Sequence, residues 1–150
     1  MASTYISVNI HYVFSTKGRK NLISKEIKPR LWQFMGGIAR KNKMVAYAVG
    51  GTENHVHVLL SIPATINIAE AIKLIKGGSS KWVNDEFIVP GGFKWQEGYG
   101  AFSVSQRGLQ RTIAYILNQE DHHRKKSFRD EYVDFLNQCG IQYDERFLLG

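Results

Sequence analysis

Apolar and polar residues alternate from Tyr5 to Phe14, with Ile6, Val8, Ile10, Tyr12 and Phe14 set against more polar partners. That is the period of a half-buried β-strand. After a basic turn, Lys17-Gly-Arg-Lys-Asn21, the period lengthens. Ser24 stands where it can cap a helix whose apolar stripe is Ile27, Leu31, Phe34, Met35 and Ile38, ending near Asn42. The Gly36-Gly37 pair inside that stripe is unfavourable for a helix. Val45–Val49 and His55–Ile62 read as two more strands, and the short polar turn Thr52-Glu-Asn54 joins them as an antiparallel hairpin. Asn67 caps a helix through Ile68, Ala71, Ile72 and Ile75, which breaks at Gly77-Gly78 and continues from Ser79 to Phe87. Beyond the Pro90-Gly-Gly92 turn, residues 93–104 hold one or two strands. Ser105 opens a helix over about 106–121. Ser127, with Asp130 three residues on, is a capping box for a last helix at about 128–139, stopped by Gly140. The order β-α-β-β-α-β-α-α predicts a single α+β domain over residues 1–150. Its expected form is a ferredoxin-like, or RRM-like, antiparallel sheet with helices packed on it and extra C-terminal helices.

Composition narrows the class. A chain of 150 residues is long enough to bury a core without disulfide or metal staples. A hydrophobic fraction of 43 % and an aromatic fraction of 12 % are those of a globular protein. No apolar run approaches the roughly 20 residues of a membrane span, and Tyr5 onward is strand-like rather than signal-like. The lone Cys139 has no disulfide partner within the chain and cannot build a thiolate metal site. A cytoplasmic protein is expected. With 20 Lys plus Arg against 13 Asp plus Glu, the formal net charge is +7, which favours an anionic partner, nucleic acid first.

Two places carry side chains suited to chemistry. On the strand His55-Val-His57 both imidazoles project to one face while Val56, Val58 and Leu60 pack the other way. Paired imidazoles can supply two ligands to one divalent ion, and they can equally be strand histidines satisfied by hydrogen bonds. A histidine-triad hydrolase needs another histidine where Leu59 stands, and no second His-x-Thr or His-x-Ser serves a two-histidine phosphoesterase. The helix after Ser105 has the apolar stripe Leu109, Ile113, Ile116 and Leu117, with Tyr115 and Gln119 together on its flank and His122 one turn further. Tyr115 fits amphipathic packing, or a phenol nucleophile one turn from an amide ligand.

The chain resembles the single-tyrosine HUH transposases, small enzymes of bacterial insertion sequences that act on single-stranded DNA. The matching pieces are His11-Tyr-Val-Phe-Ser-Thr-Lys17, Asn54-His-Val-His-Val-Leu-Leu60, Leu74-Ile-Lys-Gly-Gly-Ser-Ser80, Trp95-Gln-Glu-Gly-Tyr99 and Tyr115-Ile-Leu-Asn-Gln119. The tail from Glu120-Asp-His-His-Arg-Lys125 to Asp144-Glu-Arg146 is similar to one branch of that family. The resemblance implies His55, His57 and Gln119 as metal ligands, Tyr115 as nucleophile and Mg²⁺ or Mn²⁺ as the ion. It implies a 5′-phosphotyrosine intermediate, a DNA partner with hairpin structure, and a homodimer whose active sites are shared between subunits or complete in each. No phosphate-cradling P-loop is present.

Three basic clusters are candidate DNA contacts: Lys17, Arg19 and Lys20 after the first strand; Lys73, Lys76 and Lys81 after the central hairpin; Arg124, Lys125 and Lys126 after the tyrosine helix. Trp82, Trp95 and Tyr99 can stack on bases or fill core. His122 and His123 are read as supporting groups or DNA contacts, not as ligands. Two other functions are open: a host-adopted relative that cleaves genomic hairpin repeats, and a non-catalytic RRM-like nucleic-acid-binding module, which needs aromatics on a bare sheet face.

Overall fold

In a computed structural model, residues 3–149 are described, so the outermost residues of the expected domain, Met1, Ala2 and Gly150, lie outside them. Four strands form one sheet: β1 (Asn9–Ser15), β2 (Val45–Gly51), β3 (His55–Ser61) and β4 (Gly100–Val104). They lie in the order β2-β3-β1-β4, and every neighbouring pair is antiparallel. With α1 (Ile27–Lys41) after β1 and α2 (Ile68–Glu86) after β3, this is the expected ferredoxin-like α+β core.

Helices cover both faces of the sheet. On one, Ile10, Tyr12, Phe14, Val56, Val58 and Leu60 meet Leu31, Met35, Ile72 and Ile75 of α1 and α2 in the main core. The other is covered by α3 (Leu109–Leu117) and α5 (Phe128–Gln138), through Leu59 with Leu109 and Ile116, and through Val13 and Phe102 with Phe128, Tyr132 and Leu136. The expectation of a half-buried first strand is therefore corrected. All seven residues of β1 are buried, whereas Tyr5 to Val8 are exposed and precede the strand. Alternation marked the two faces of β1, but the polar face is covered by C-terminal helices instead of water.

One glycine pair differs from expectation, and another glycine lets a helix onto the sheet. Across Gly77-Gly78, α2 runs unbroken, and a Cβ at Gly78 would lie 2.8 Å from Ile38 Cδ1 of α1. That glycine lets α1 and α2 close on each other rather than ending the helix. At Gly50 a Cβ would lie 2.4 Å from the Ile116 carbonyl oxygen, so the bare backbone of β2 admits α3 directly onto the sheet. The helix expected over 106–121 is a 3₁₀ turn, Gln106–Gly108, then α3, an interruption at Asn118 (φ −107°, ψ 25°), and a short α4 (Gln119–His123). Caps fall where the sequence places them: Asn67 Oδ1 accepts from Glu70 N–H at 2.8 Å, and Ser127 Oγ from Asp130 N–H at 3.2 Å. Residues 93–104 hold β4 and a single bridge, Thr16 to Trp95.

Candidate active site

The second face of the sheet buries a polar cluster. From β3, His55 and His57 point toward α3–α5, and from β1 His11 joins them; all three imidazoles are buried. Each β3 histidine is held at its Nδ1. His55 Nδ1 lies 2.9 Å from Asn54 Oδ1 and 3.0 Å from Thr52 Oγ1, and His57 Nδ1 lies 2.8 Å from His11 Nε2. Both Nε2 atoms then face the interior of the cluster. There His55 Nε2 is 3.1 Å from Gln119 Oε1, and His57 Nε2 is 2.9 Å from Glu131 Oε1.

The interruption at Asn118 turns α4 so that Gln119 is buried and His123 follows it inward. Gln119 Oε1 sits between His55 Nε2 and His123 Nε2, at 3.1 and 2.9 Å. Tyr115, half-buried on α3, is hydrogen-bonded to Glu131 Oε2 and lies 3.3 Å from His122 Nε2. Its ring centroid is 5.7 Å from that of His57. The four residues expected to form the site, His55, His57, Tyr115 and Gln119, are thus assembled within one chain.

Glu131 and His11 were not among the expected site residues. His123, expected to stay outside any ligand set, belongs to a group with His55, His57 and Glu131 whose ligand atoms all lie within 4.8 Å of one another. This group can hold a metal ion. The supporting geometry fits that use, because a ligating imidazole is normally oriented through its other nitrogen, as Asn54, Thr52 and His11 do here.

Electrostatics separate the groups. Burial, then His57 and His123, lowers His55 to about 3, so its imidazole is neutral, as a ligand must be. His11 is also pushed well below its usual value, by burial and then His57. For Glu131, burial favours the protonated acid, but hydrogen bonds from His123, His57 and Tyr115 outweigh it and keep the carboxyl below the ordinary range. The Tyr115 phenol is raised, by burial first and then by its bond to Glu131. The phenol therefore stays a proton donor to a carboxylate.

Two of the grooves beside this cluster are large and have basic walls. One, of about 1060 Å³, passes His123, Thr52 and Asn54 between walls carrying Arg19, Lys28 and Arg124. The other, of about 1140 Å³, runs past Tyr115 and is bordered by Arg111, Arg124, Lys125 and Lys126. The basic cluster on α2 lies elsewhere. It sits within the continuous helix, not at an element end, and Lys73 and Lys81 line a groove between α1 and α2 on the opposite side of the sheet. Lys76 donates to the carbonyls of Gln96, Glu97 and Gly98 at 2.6, 3.1 and 2.9 Å. Trp95 is buried and donates to Ser79 Oγ, Tyr99 packs on Tyr12, and Trp82 stacks on Phe34 beneath Arg30. No helix among the described residues is long and apolar enough to cross a membrane.

The known proteins that this chain is similar to are transposases. A family model described as "Transposase IS200 like" matches residues 4–119. The ISDra2 transposase TnpA of Deinococcus radiodurans is 25 % identical over 116 residues, covering 74 % of this chain and 83 % of the relative. Among solved structures, a putative transposase from D. radiodurans superposes with a TM-score of 0.63 at 25 % identity, over 79 % of this chain and 96 % of that one. A REP-associated tyrosine transposase bound to a REP hairpin shares the fold, with a TM-score of 0.54 at 12 % identity over 77 % of this chain and 68 % of that one.

Proposed function

Because this chain belongs to the IS200-like transposase family, matched over residues 4–119, we propose that it cleaves and rejoins single-stranded DNA through a covalent bond to Tyr115. The observation that carries the reading is the meeting, in one buried cluster of a single chain, of a tyrosine hydroxyl with the paired histidines of β3. The Tyr115 oxygen attacks the scissile phosphorus, the bond to the 3′-oxygen breaks, and the phenol proton is balanced by the proton gained on the released 3′-hydroxyl. A 5′-phosphotyrosine remains. Since the phosphodiester energy is kept in that link, another strand's 3′-hydroxyl can reverse the step and join, with no nucleotide cofactor.

His55 Nε2, His57 Nε2 and Gln119 Oε1 are the atoms we assign to hold Mg²⁺ or Mn²⁺, the mixed nitrogen and oxygen set suiting Mn²⁺ at least as well. When bound, such an ion polarises the phosphate and offsets the charge that develops on it. The remaining roles belong to the chain itself. Asn54, Thr52 and His11 fix the imidazoles, and α3 carries Tyr115 to them. Arg19, Arg124 and Lys125 border grooves that reach the cluster and are assigned to the DNA backbone with Lys20 beside Arg19, whereas Lys17 lines a separate groove with Lys73 and Lys76 of α2. Lys73 and Lys81, beside Trp82 across the sheet, are a second candidate surface for hairpin DNA. Lys76 is already engaged by three carbonyls.

An RRM-like binding module fits less well, since base stacking needs a bare sheet face and here helices cover both. Two sites are needed to process both ends of an element, and a homodimer would supply them. Edge strand β2, with Val45 and Tyr47 exposed, is a free sheet edge for that contact.

The test uses labelled single-stranded hairpins from the DNA flanking the coding sequence, incubated with the protein and Mn²⁺ and run on a denaturing gel. A covalent protein–DNA band is expected, absent with EDTA and in Tyr115→Phe. A band that survives in Tyr115→Phe overturns the assignment.

A further inference from the structure

Glu131 stands on α5, beyond the residues matched by the family model, yet more of the cluster converges on it than on any expected ligand. We propose that its carboxylate bridges the metal and the nucleophile, Oε1 joining the ligand set and Oε2 holding the Tyr115 hydroxyl. This rests on the reading of Tyr115 as nucleophile.

Three imidazole nitrogens surround Oε1: His57 Nε2 at 2.9 Å, His123 Nε2 at 3.2 Å and His55 Nε2 at 3.8 Å. Neighbouring ligands about an ion bonded at roughly 2.0–2.2 Å stand about 3.0–3.5 Å apart, so the His57 and His123 spacings are close to those of a coordination shell, while His55 stands slightly beyond it. The other oxygen faces away from that centre, toward the Tyr115 hydroxyl and His122 Nε2, the latter at 3.2 Å. One rigid carboxylate therefore ties the ion's position to the attacking oxygen's. Its placement is costly unless used: Glu131 is buried on the apolar stripe of α5 beside Phe128, Tyr132 and Phe135. A buried carboxylate is retained where several donors converge on it. It also brings an anionic oxygen to a set otherwise made of neutral groups, which favours Mn²⁺ or Mg²⁺ over softer ions.

Mn²⁺ binding to the full-length protein, measured by calorimetry and by the loss of the free-ion EPR signal, tests the metal half directly. Glu131→Gln should weaken binding at least roughly tenfold while circular dichroism stays that of wild type. Glu131→Asp, which keeps the charge, should recover part of the affinity. Tyr115→Phe should bind Mn²⁺ as wild type does. The second half is read by NMR on protein with ¹³Cζ-labelled tyrosine. The Tyr115 resonance, identified by its loss in Tyr115→Phe, should move in Glu131→Gln. Undiminished Mn²⁺ affinity in Glu131→Gln, or faster adduct formation in that variant, would overturn the proposal by making the carboxylate a mere occupant of the site. Should no DNA adduct form at all, the nucleophile reading fails while the metal result still decides the role of Glu131 as ligand.

Discussion

Alternate residues of the same two strands build two unlike interiors. Toward α1 and α2, β1 and β3 present Ile10, Tyr12, Phe14, Val56, Val58 and Leu60, an apolar core held by burial. Toward α3 and α5 the same strands present His11, His55 and His57, a face where position depends on hydrogen bonds with Gln119, His123 and Glu131. No buried side-chain nitrogen or oxygen among the described residues lacks a partner. The first face is apolar throughout, and the second sets its chemistry between two smaller apolar clusters, around Leu59 and around Val13, that hold α3 and α5 on the sheet. The larger share of apolar packing and the chemistry therefore lie on opposite faces.

The apolar face should give the largest loss of stability. Phe14→Ala, which removes a fully buried ring packed 4.8 Å from that of Trp95, should cost about 3–5 kcal/mol in urea unfolding and carry the polar face down with it. The polar face should answer to metal instead. Mn²⁺ at about a hundred times its dissociation constant should stabilise the protein by roughly 2.7 kcal/mol, reversed by EDTA, and melting of His57→Ala should show no such rise. At the rim of the apolar core, Lys76→Met leaves three carbonyls of residues 96–98 without their donor. About 1–3 kcal/mol is expected, with faster amide exchange confined to that loop. Ser127→Ala removes the cap of the helix bearing Glu131. Thermal unfolding should register about 1 kcal/mol, with a weakening of Mn²⁺ binding that the loss of Lys76 does not produce. Smallest of all, Lys81→Ala breaks only an exposed pair with Asp85 and should leave the melting temperature unchanged.

The apolar face was the more legible of the two. Periodicity located α1, the β2–β3 hairpin and the Asn67 cap, because each follows from residues close in sequence. Gly77-Gly78 misled, since a glycine that admits Ile38 of another helix looks locally like a helix breaker. On the polar face, spacing and resemblance singled out His55, His57, Tyr115 and Gln119, which lie together in the structure. Glu131 was not singled out, because nothing in the neighbourhood of Ser127 to Gly140 announces a partner on β3. One signal existed: a carboxylate set in the apolar stripe of Phe128, Tyr132 and Phe135 is out of place unless something buried needs it. His11 hid differently. In a strand of period two, a polar residue facing solvent and one facing a buried cluster are written alike, and only the second layer of helices decides between them.

The site for the nucleophile is the claim on which the rest turns, and one peptide tests it. After reaction with hairpin DNA and Mn²⁺, followed by nuclease trimming, trypsin should release the peptide from Thr112 to Arg124. Mass spectrometry should find on it the added mass of a 5′-nucleotide, fragmented to Tyr115. The same mass on any other residue would contradict the account.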